Sequence, residues 1–422
     1  MSDSTRIVIV GAGHAGGTVA ALLRQYGHAG TVTLIGAEPV APYQRPPLSK
    51  AWLKGEADGD SLRLKAPEWY ADNGVDLRLS QTVAAIDRAA RTVRLSDGET
   101  LSYDKAILAT GARARLLAIE GADLDGVVAL RTAADAEVLK TALAPERHRV
   151  KRLAVIGGGY VGLEAAASAR ALGAEVVIVE RESRILARVA CPILSRFFQA
   201  YHRERGVHFI LDATVQRLIG EGGQVKAVHL GDGSVLDCDA VLVGVGAVPN
   251  DELARAAGLD CEDGVLVDLS GRTSDPAIFA IGDVTRRPMP LYDTVMRLES
   301  VPNALEQARQ AAAAITGRAA PEPETPWFWS DQYDLKLQIA GVPIGCDDLV
   351  VRGAPDAPGF ALFHMAGDLI QAVEAVNAPG EFMVGRQLIG RRTPVSRALL
   401  ADRATPMKAV ALCPIPSSLE AS

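Results

Sequence analysis

The chain has no cysteine pair. Its five cysteines, Cys191, Cys238, Cys261, Cys346 and Cys413, are scattered. No two have the short spacing of a redox dithiol, a zinc knuckle or an iron–sulfur ligand set, and they read as small reduced core residues. An uninterrupted apolar run long enough to span a bilayer is also missing. So is a signal-type beginning, because MSDSTR leads straight into an apolar strand without a basic segment or cleavage site. Excess positive charge is missing too: the net charge of -7 gives no support to bulk nucleic-acid binding. What remains is 48% hydrophobic and 23% charged over 422 residues. That describes a globular chain of roughly two to four domains, expected in the cytoplasm.

Glycine supplies the first positive signal. RIVIVGAGHAGGTVAALLRQYG followed by TVTLIGAE reads as strand, tight turn, helix and second strand. Gly11, Gly13 and Gly16 form G-x-G-x-x-G: the first permits the turn, the second lets a pyrophosphate approach the backbone, and the third lets helix pack on strand. Helix amides beginning near His14 and Ala15 face the phosphate charge, and acidic Glu38 ends the second strand. His14 itself reads as a backbone-supporting residue. The same grammar returns in RLAVIGGGYVGLEAAASARALGAEVVIVE, with Gly157, Gly159 and Gly162 in the turn, Tyr160 and Val161 opening the helix and Glu180 ending the strand. A carboxylate at Glu180 accepts hydrogen bonds from an adenosine 2′-hydroxyl and repels a 2′-phosphate, which favours NADH over NADPH. Arg181 and Arg184 follow closely, so a phosphate still has candidate partners. Two dinucleotide sites in one chain suit a permanent flavin dinucleotide and an exchanging nicotinamide.

Two later stretches are YDKAILATGARAR, a strand ending in Ala109, Thr110 and Gly111, and TSDPAIFAIGDVT, a strand ending in Gly282 and Asp283. With these the sequence resembles the two-dinucleotide-binding-domain flavoproteins, in which such motifs mark exit from and return to the FAD domain. The stretches PYQRPPLSKAWL, GGGYVGLE, LYDTVMRLESVPNALEQAR and PWFWSDQY narrow the resemblance to the ferredoxin reductases typified by putidaredoxin reductase and its rubredoxin and biphenyl-dioxygenase reductase relatives.

The resemblance implies an α/β fold with two Rossmann-like, glutathione-reductase-like domains for FAD and NAD, plus a small α+β C-terminal domain. The implied partition is residues 1–115 and 246–325 for FAD, 116–245 for NAD and 326–422 for the C-terminal domain. FAD is assigned to Gly11, Gly13, Ala15 and Gly16, with Asp283 on the ribityl and pyrophosphate part. Further implied cofactor contacts are Ala37, Arg45, Pro46, Lys50, Val83, Arg131, Gly246, Val301 and Trp329. Trp329 is expected near the ring edge, and the alternative for Trp327, Phe328 and Trp329 together is domain-joint packing, with which the first reading is compatible.

In PYQRPPLSK the prolines stiffen a segment expected to present Arg45 and Lys50 to a planar ring. A nearby ammonium stabilises a ring that gains negative charge. Lys50 is the expected ammonium, and relatives suggest that Glu164 holds it. VPNALEQARQAAAAI reads as a helix with Pro302 at its first position and its N-terminal amides toward the flavin. Disulfide reductases of this architecture carry a cysteine pair where this chain has Gln44 to Ser49. With none here, electrons must leave the chain, and the resemblance names a 2Fe-2S ferredoxin that feeds a haem-thiolate monooxygenase or similar oxygenase.

After Thr325 the texture changes to short antiparallel strands and a helix in EFMVGRQLIGRRTPV. Arg386, Arg391, Arg392, Arg397, Arg403 and Lys408, extended by Arg309, form a candidate basic face for an acidic ferredoxin. A solvated helix face is the alternative. The expected assembly is a monomer or weak dimer. Competing activities are an NADH oxidase or peroxidase, a quinone reductase, and a redox-sensing flavoprotein of the apoptosis-inducing type.

Overall fold

A computed structural model describes residues 5–144, 149–357 and 359–411, so Cys413 lies outside the described residues. The chain divides into two compact units, one of residues 1–45, 58–113 and 247–324, the other of residues 46–57, 114–246 and 325–422.

In the first unit, apolar runs such as IVIV (Ile7–Val10), buried at every position, assemble a parallel sheet covered on both faces. Its order is Ile278–Ala280, Lys105–Leu108, Ile7–Val10, Val32–Ile35, Val75–Arg78, with Ile7 beside Val32 and Lys105. The helix His14–Gln25 packs Val19, Ala20 and Leu23 into the same core as Ala304, Ala308, Ala311 and Ala312 of the helix Val301–Thr316. Alanine on that face leaves little between the two helices. Ser300 caps the second of them by accepting from the Asn303 N–H at 3.3 Å. Pro302 is therefore the second helical residue and not the first, still within the turn where its missing N–H costs nothing.

The second unit repeats the parallel sheet in the order Val207–Ile210, Glu175–Val179, Arg152–Ile156, Ala240–Val243, Val127–Val128. It adds an antiparallel sheet ordered Trp327–Gln332, Leu335–Gly341, Leu369–Val376, Phe360–Ala366, Asp348–Arg352. The helix Pro379–Gly390 lies on that sheet with Gly385 at the contact, where an added Cβ would meet Val373 at 3.1 Å and Phe363 at 3.2 Å. One buried cluster runs from Leu153, Leu163 and Phe198 to Leu335, Leu362 and Phe360. These two sheets thus share a core, although the sequence partition counts them as separate domains.

Residues 46–57, which the partition placed with the first domain, belong to the second unit. The reason is burial: Leu53 is fully buried in the shared core, and the ammonium of Lys140 lies over the Trp52 ring at 5.6 Å. Replacing Leu53 by Ala is expected to destabilise this unit by about 2–5 kcal/mol. Leu116→Ala, at a site 74% exposed, should stay within about 0.5 kcal/mol. Urea unfolding midpoints of the two variants check the difference.

Candidate dinucleotide and electron-transfer site

The first glycine turn is closed from two sides. A Cβ on Gly11, which has φ +112°, would lie 2.2 Å from the Ala109 carbonyl oxygen, and one on Gly16 would lie 1.9 Å from the Gly11 oxygen. At Gly13, by contrast, a Cβ would meet nothing nearer than the Arg45 guanidinium at 3.9 Å. The helix that starts at His14 has no side-chain cap and no acidic residue in its first turn. Its amides are thus left for an anion at the spot where the backbone is most approachable.

Ala109, Thr110 and Gly111 are locked by Asn250. Its amide donates to the Thr110 carbonyl at 2.9 Å, and its backbone accepts the Thr110 hydroxyl at 2.8 Å. A Cβ on Gly282, which has φ +80°, would lie 3.1 Å from the Ala15 side chain. Gln307 fixes that loop by accepting from the Gly282 N–H at 2.7 Å and the Thr285 hydroxyl at 2.9 Å. Asp283 therefore reaches the helix start, where it raises the proton affinity of His14 against the larger lowering effect of burial. The His14 Nδ1 is buried without a hydrogen-bond partner among the described residues. An open glycine, uncapped amides and an orphaned polar atom converge here, which fits a dinucleotide pyrophosphate. Ala37 is exposed beyond the second strand, Val83 is buried on the strand Val83–Asp87, and Val301 opens its helix. Asn250 and Gln307 lie outside the glycine motifs, and only folding reveals their work.

The second turn has the same construction. A Cβ on Gly157, with φ +104°, would lie 2.4 Å from the Gly244 oxygen, and one on Gly162 would lie 2.5 Å from the Gly157 oxygen. Gly159 is open, and Tyr160 begins an uncapped helix. Gly246 takes φ +107° beside this turn's partner Gly244, and Val161 is exposed. Each Glu180 oxygen accepts one backbone N–H, Oε2 from Gly158 at 2.7 Å and Oε1 from Glu182 at 2.9 Å. The carboxylate is thereby aimed, with lone pairs left for ribose hydroxyls.

Arg184 is committed elsewhere. It donates to Ala190 O at 2.9 Å, Ala187 O at 2.7 Å and Ser195 Oγ at 2.7 Å. Arg181 pairs with Glu182 at 3.0 Å. Of the two arginines the sequence offers to a 2′-phosphate, the half-buried one is thus already used.

Arg45 and Lys50, expected to be presented by one stiff proline segment, have different carboxylate partners. In the first unit Arg45 binds Glu38 at 2.6 Å and Tyr43 Oη at 3.1 Å, and Tyr43 donates to Glu38 at 2.6 Å. Arg45 thus serves the acidic end of the first nucleotide turn. The turn Pro46–Ser49 then carries Lys50 into the second unit, where it pairs with Glu164 at 2.6 Å. Arg131, of the same unit, donates its backbone N–H to Asp135 at 3.0 Å, just ahead of the capping box of the helix Ala133–Ala142.

Around Glu164 lies a polar network that the sequence motifs do not announce. Ser49 Oγ donates to the same oxygen as Lys50 at 2.6 Å, and Ser330 Oγ donates to the other at 2.7 Å. Because the Ser330 hydroxyl is spent on the carboxylate, its oxygen accepts from Gln332 Nε2 at 3.1 Å. The Gln332 carbonyl must then accept from His202 Nε2 at 2.8 Å. The charge on Glu164 thereby fixes the orientation of an amide and the tautomer of an imidazole two side chains away. Ser330, Gln332 and His202 are all fully buried. Burial pushes His202 down to about 4, against the opposing effect of Gln332, so the ring is neutral. Its Nδ1 faces Tyr333 Oη at 3.5 Å.

Strand alternation turns Trp329 to the face opposite Ser330, where its ring meets Trp327 at 5.7 Å. Trp327 also packs on Phe382 and under Arg386, so this pair packs against the helix Pro379–Gly390 of the same C-terminal segment. Phe328 meets the Tyr160 ring edge-on at 4.9 Å.

The basic face is smaller than its charge count. Arg397 is tied to Asp348 at 2.8 Å and Asp347 at 3.1 Å. Arg309 pairs with Glu324 in the first unit. Arg391, Arg392, Arg403 and Lys408 are exposed.

With this geometry in hand, residues 5–308 match the family model described as pyridine nucleotide-disulphide oxidoreductase, and residues 327–411 match the reductase C-terminal model. The chain belongs to the pyridine nucleotide-disulphide oxidoreductase family. It is 52% identical over 98% of its length, and all of the other's, to a probable ferredoxin reductase, CtmF, of Castellaniella defragrans. It is 41% identical to the putidaredoxin reductase CamA of Pseudomonas putida, covering 97% of each chain. Among solved structures it matches a covalent putidaredoxin reductase–putidaredoxin complex with a TM-score of 0.93 and 42% identity, covering 96% of this chain and 98% of that one. The sequence's resemblance to these reductases and its two-Rossmann reading therefore stand. This member of the family is an oxidoreductase that uses FAD and NAD(P)H.

A disulphide is nevertheless missing from the segment in question, and the four described cysteines are free. Cys191 and Cys238 are pushed up to about 12 by burial, and Cys261 and Cys346 are raised for the same reason. None of these four offers a ready thiolate.

The His202 arrangement has a measurable signature. A buried imidazole held below its unfolded value of 6.5 binds its proton less well than the unfolded chain does. Its contribution is therefore fully present above about 6.5 and is lost as pH falls toward 4, where it levels off. Nitrogen NMR should show the neutral Nε2–H tautomer persisting to pH 5. The corresponding part of the pH-stability curve should vanish in His202→Gln.

Proposed function

We propose that this flavoprotein is an NADH-dependent ferredoxin reductase, which delivers single electrons to a 2Fe-2S ferredoxin that supplies a haem-thiolate monooxygenase or a similar oxygenase. The observation that carries the reading is the sulfur-free turn Pro46–Ser49, which presents Lys50 to Glu164 where a disulphide relay would otherwise sit. With no thiol in that turn and no ready thiolate among the described cysteines, the acceptor lies outside the chain. Relatives named as ferredoxin and putidaredoxin reductases, and a solved complex of one with its putidaredoxin, support a ferredoxin in that place. The same lack of thiolates disfavours the oxidase and peroxidase alternative.

Bound FAD would supply hydride acceptance from the nicotinamide and single-electron release. The first glycine turn with Ala15, Glu38 and Asp283 would hold the FAD, and the second with Tyr160 and Glu180 would hold the nicotinamide cofactor. Lys50 supplies the positive charge that the added electrons require. Glu164 holds that ammonium in one place, Ser49 and Ser330 hold Glu164, and Gln332 holds Ser330. Glu180, aimed by two amides, and the commitment of Arg184 support NADH over NADPH. Arg386, Arg391, Arg392, Arg403 and Lys408 provide the field that attracts an acidic partner. Free cysteines agree with work in the reducing cytoplasm. No helix among the described residues is long and apolar enough to cross a membrane.

Purified holoenzyme with NADH should reduce cytochrome c rapidly only when a 2Fe-2S ferredoxin is added. Equal rates without the ferredoxin would remove the acceptor assignment. Lys50→Met should lower the flavin midpoint potential, by about 30 mV for each tenfold loss of preference for the reduced form, and Lys50→Arg should restore part of it. The ratio of kcat/KM for NADH to that for NADPH should exceed one, and an inverted ratio would contradict the role given to Glu180.

A further inference from the structure

Three metal-ligand side chains meet in the second unit although 183 positions separate two of them. Cys191 caps the helix Pro192–Glu204, His364 lies on the strand Phe360–Ala366, and Glu374 lies on the neighbouring strand Leu369–Val376. The register pairs His364 with Ala372 and Leu362 with Glu374. His364 and Glu374 are therefore diagonal neighbours on one sheet face, with small Ala372 leaving room beside the imidazole. The thiol sulfur, an imidazole nitrogen and a carboxylate oxygen all lie within 4.8 Å of one another. We propose that Cys191, His364 and Glu374 form a binding site for one divalent ion of the zinc class.

Two of the ligand atoms make no hydrogen bond within the described residues. Glu374 Oε1 accepts the Cys191 N–H at 3.0 Å, but neither Glu374 Oε2 nor His364 Nε2 has a hydrogen-bond partner among the described residues. They lie 3.6 Å apart, too far for a hydrogen bond. Two oxygen or nitrogen ligands of a tetrahedral zinc stand about 3.3 Å apart, given bonds of about 2.0–2.1 Å. A carboxylate that is 3% exposed needs a compensating charge in so dry a place.

Charge balance points the same way. The metal-free site holds the Cys191 thiol, with its one proton, beside the Glu374 carboxylate. A divalent ion displaces that one proton and forms a metal–sulfur bond. One thiolate and one carboxylate then neutralise the ion's two charges. Thiolate with imidazole selects zinc, cobalt or nickel over magnesium and calcium. Three protein ligands leave a fourth position for water.

The ion would act as a cross-link. Tyr160 of the second glycine turn feels the charges of Glu374 and Cys191, and its hydroxyl donates to the Val189 carbonyl at 3.2 Å, two residues before Cys191. A bound metal would tie this segment to the antiparallel sheet and stiffen the support under Tyr160.

The test uses FAD-loaded protein stripped with a chelator and titrated with Co²⁺. One equivalent should bind, producing cobalt ligand-field bands at longer wavelength than the flavin absorption together with a thiolate charge-transfer band, and one equivalent of Zn²⁺ should abolish both. The melting temperature should rise with the metal. Cys191→Ser and His364→Gln should each weaken Co²⁺ binding by at least about a hundredfold, whereas Cys346→Ser should leave it unchanged. An unaltered flavin spectrum shows that each variant is folded. If stoichiometric Co²⁺ produces no bands in the wild-type protein, or if the bands survive in both site variants, the proposal fails.

Discussion

A carboxylate that is withdrawn from water must have its lone pairs filled, and this requirement at Glu164 organises the second unit. The acid is 6% exposed and collects two hydroxyls and one ammonium. Those contacts tie Ser49 and Lys50 into this unit. They also decide which way Ser330 donates, how the Gln332 amide is turned and which nitrogen of His202 carries the proton. A charge at one end thus sets hydrogen positions down the whole network. Removal of one partner would leave the rest imperfectly satisfied, which makes such a network rigid.

Rigidity of this kind suits the chemistry. A flexible lysine would spread its charge over many positions, whereas one held at 2.6 Å by a fixed carboxylate keeps it in one place before any electron arrives. The glycine turns follow the same logic by different means. In each, two glycines are fixed by backbone oxygens that a Cβ would strike, while the middle one faces open space. The acidic residues after the turns have different environments. Glu38 is neutralised by Arg45 and Tyr43, whereas Glu180 is met only by backbone amides in the bonds described above. The first therefore presents a paired charge to its nucleotide and the second a bare one, which bears directly on a 2′-phosphate.

Arginine counts mislead in the same molecule. Arg397 and Arg309 look available in sequence but are each paired with carboxylates remote in the chain. Arg184 is absorbed by two carbonyls and a hydroxyl. A guanidinium carries five donors in a fixed fork, and folding finds acceptors for them.

The sequence by itself determined the local features. Glycine spacing between an apolar strand and a helix imposes the two nucleotide turns, because only glycine accepts both the positive φ and the close approach. Apolar runs impose the parallel sheets, and the missing cysteine pair closes the disulphide route. Contacts between distant residues were left to the tertiary structure. No periodicity links Ser330, Gln332 and His202 to Glu164, or Cys191 to His364 and Glu374, since the energy that selects them arises only when burial removes water. The segment around Lys50 illustrates the division: its prolines announce a stiff turn, but the burial of Leu53 and the pull of Glu164 decide which unit owns it.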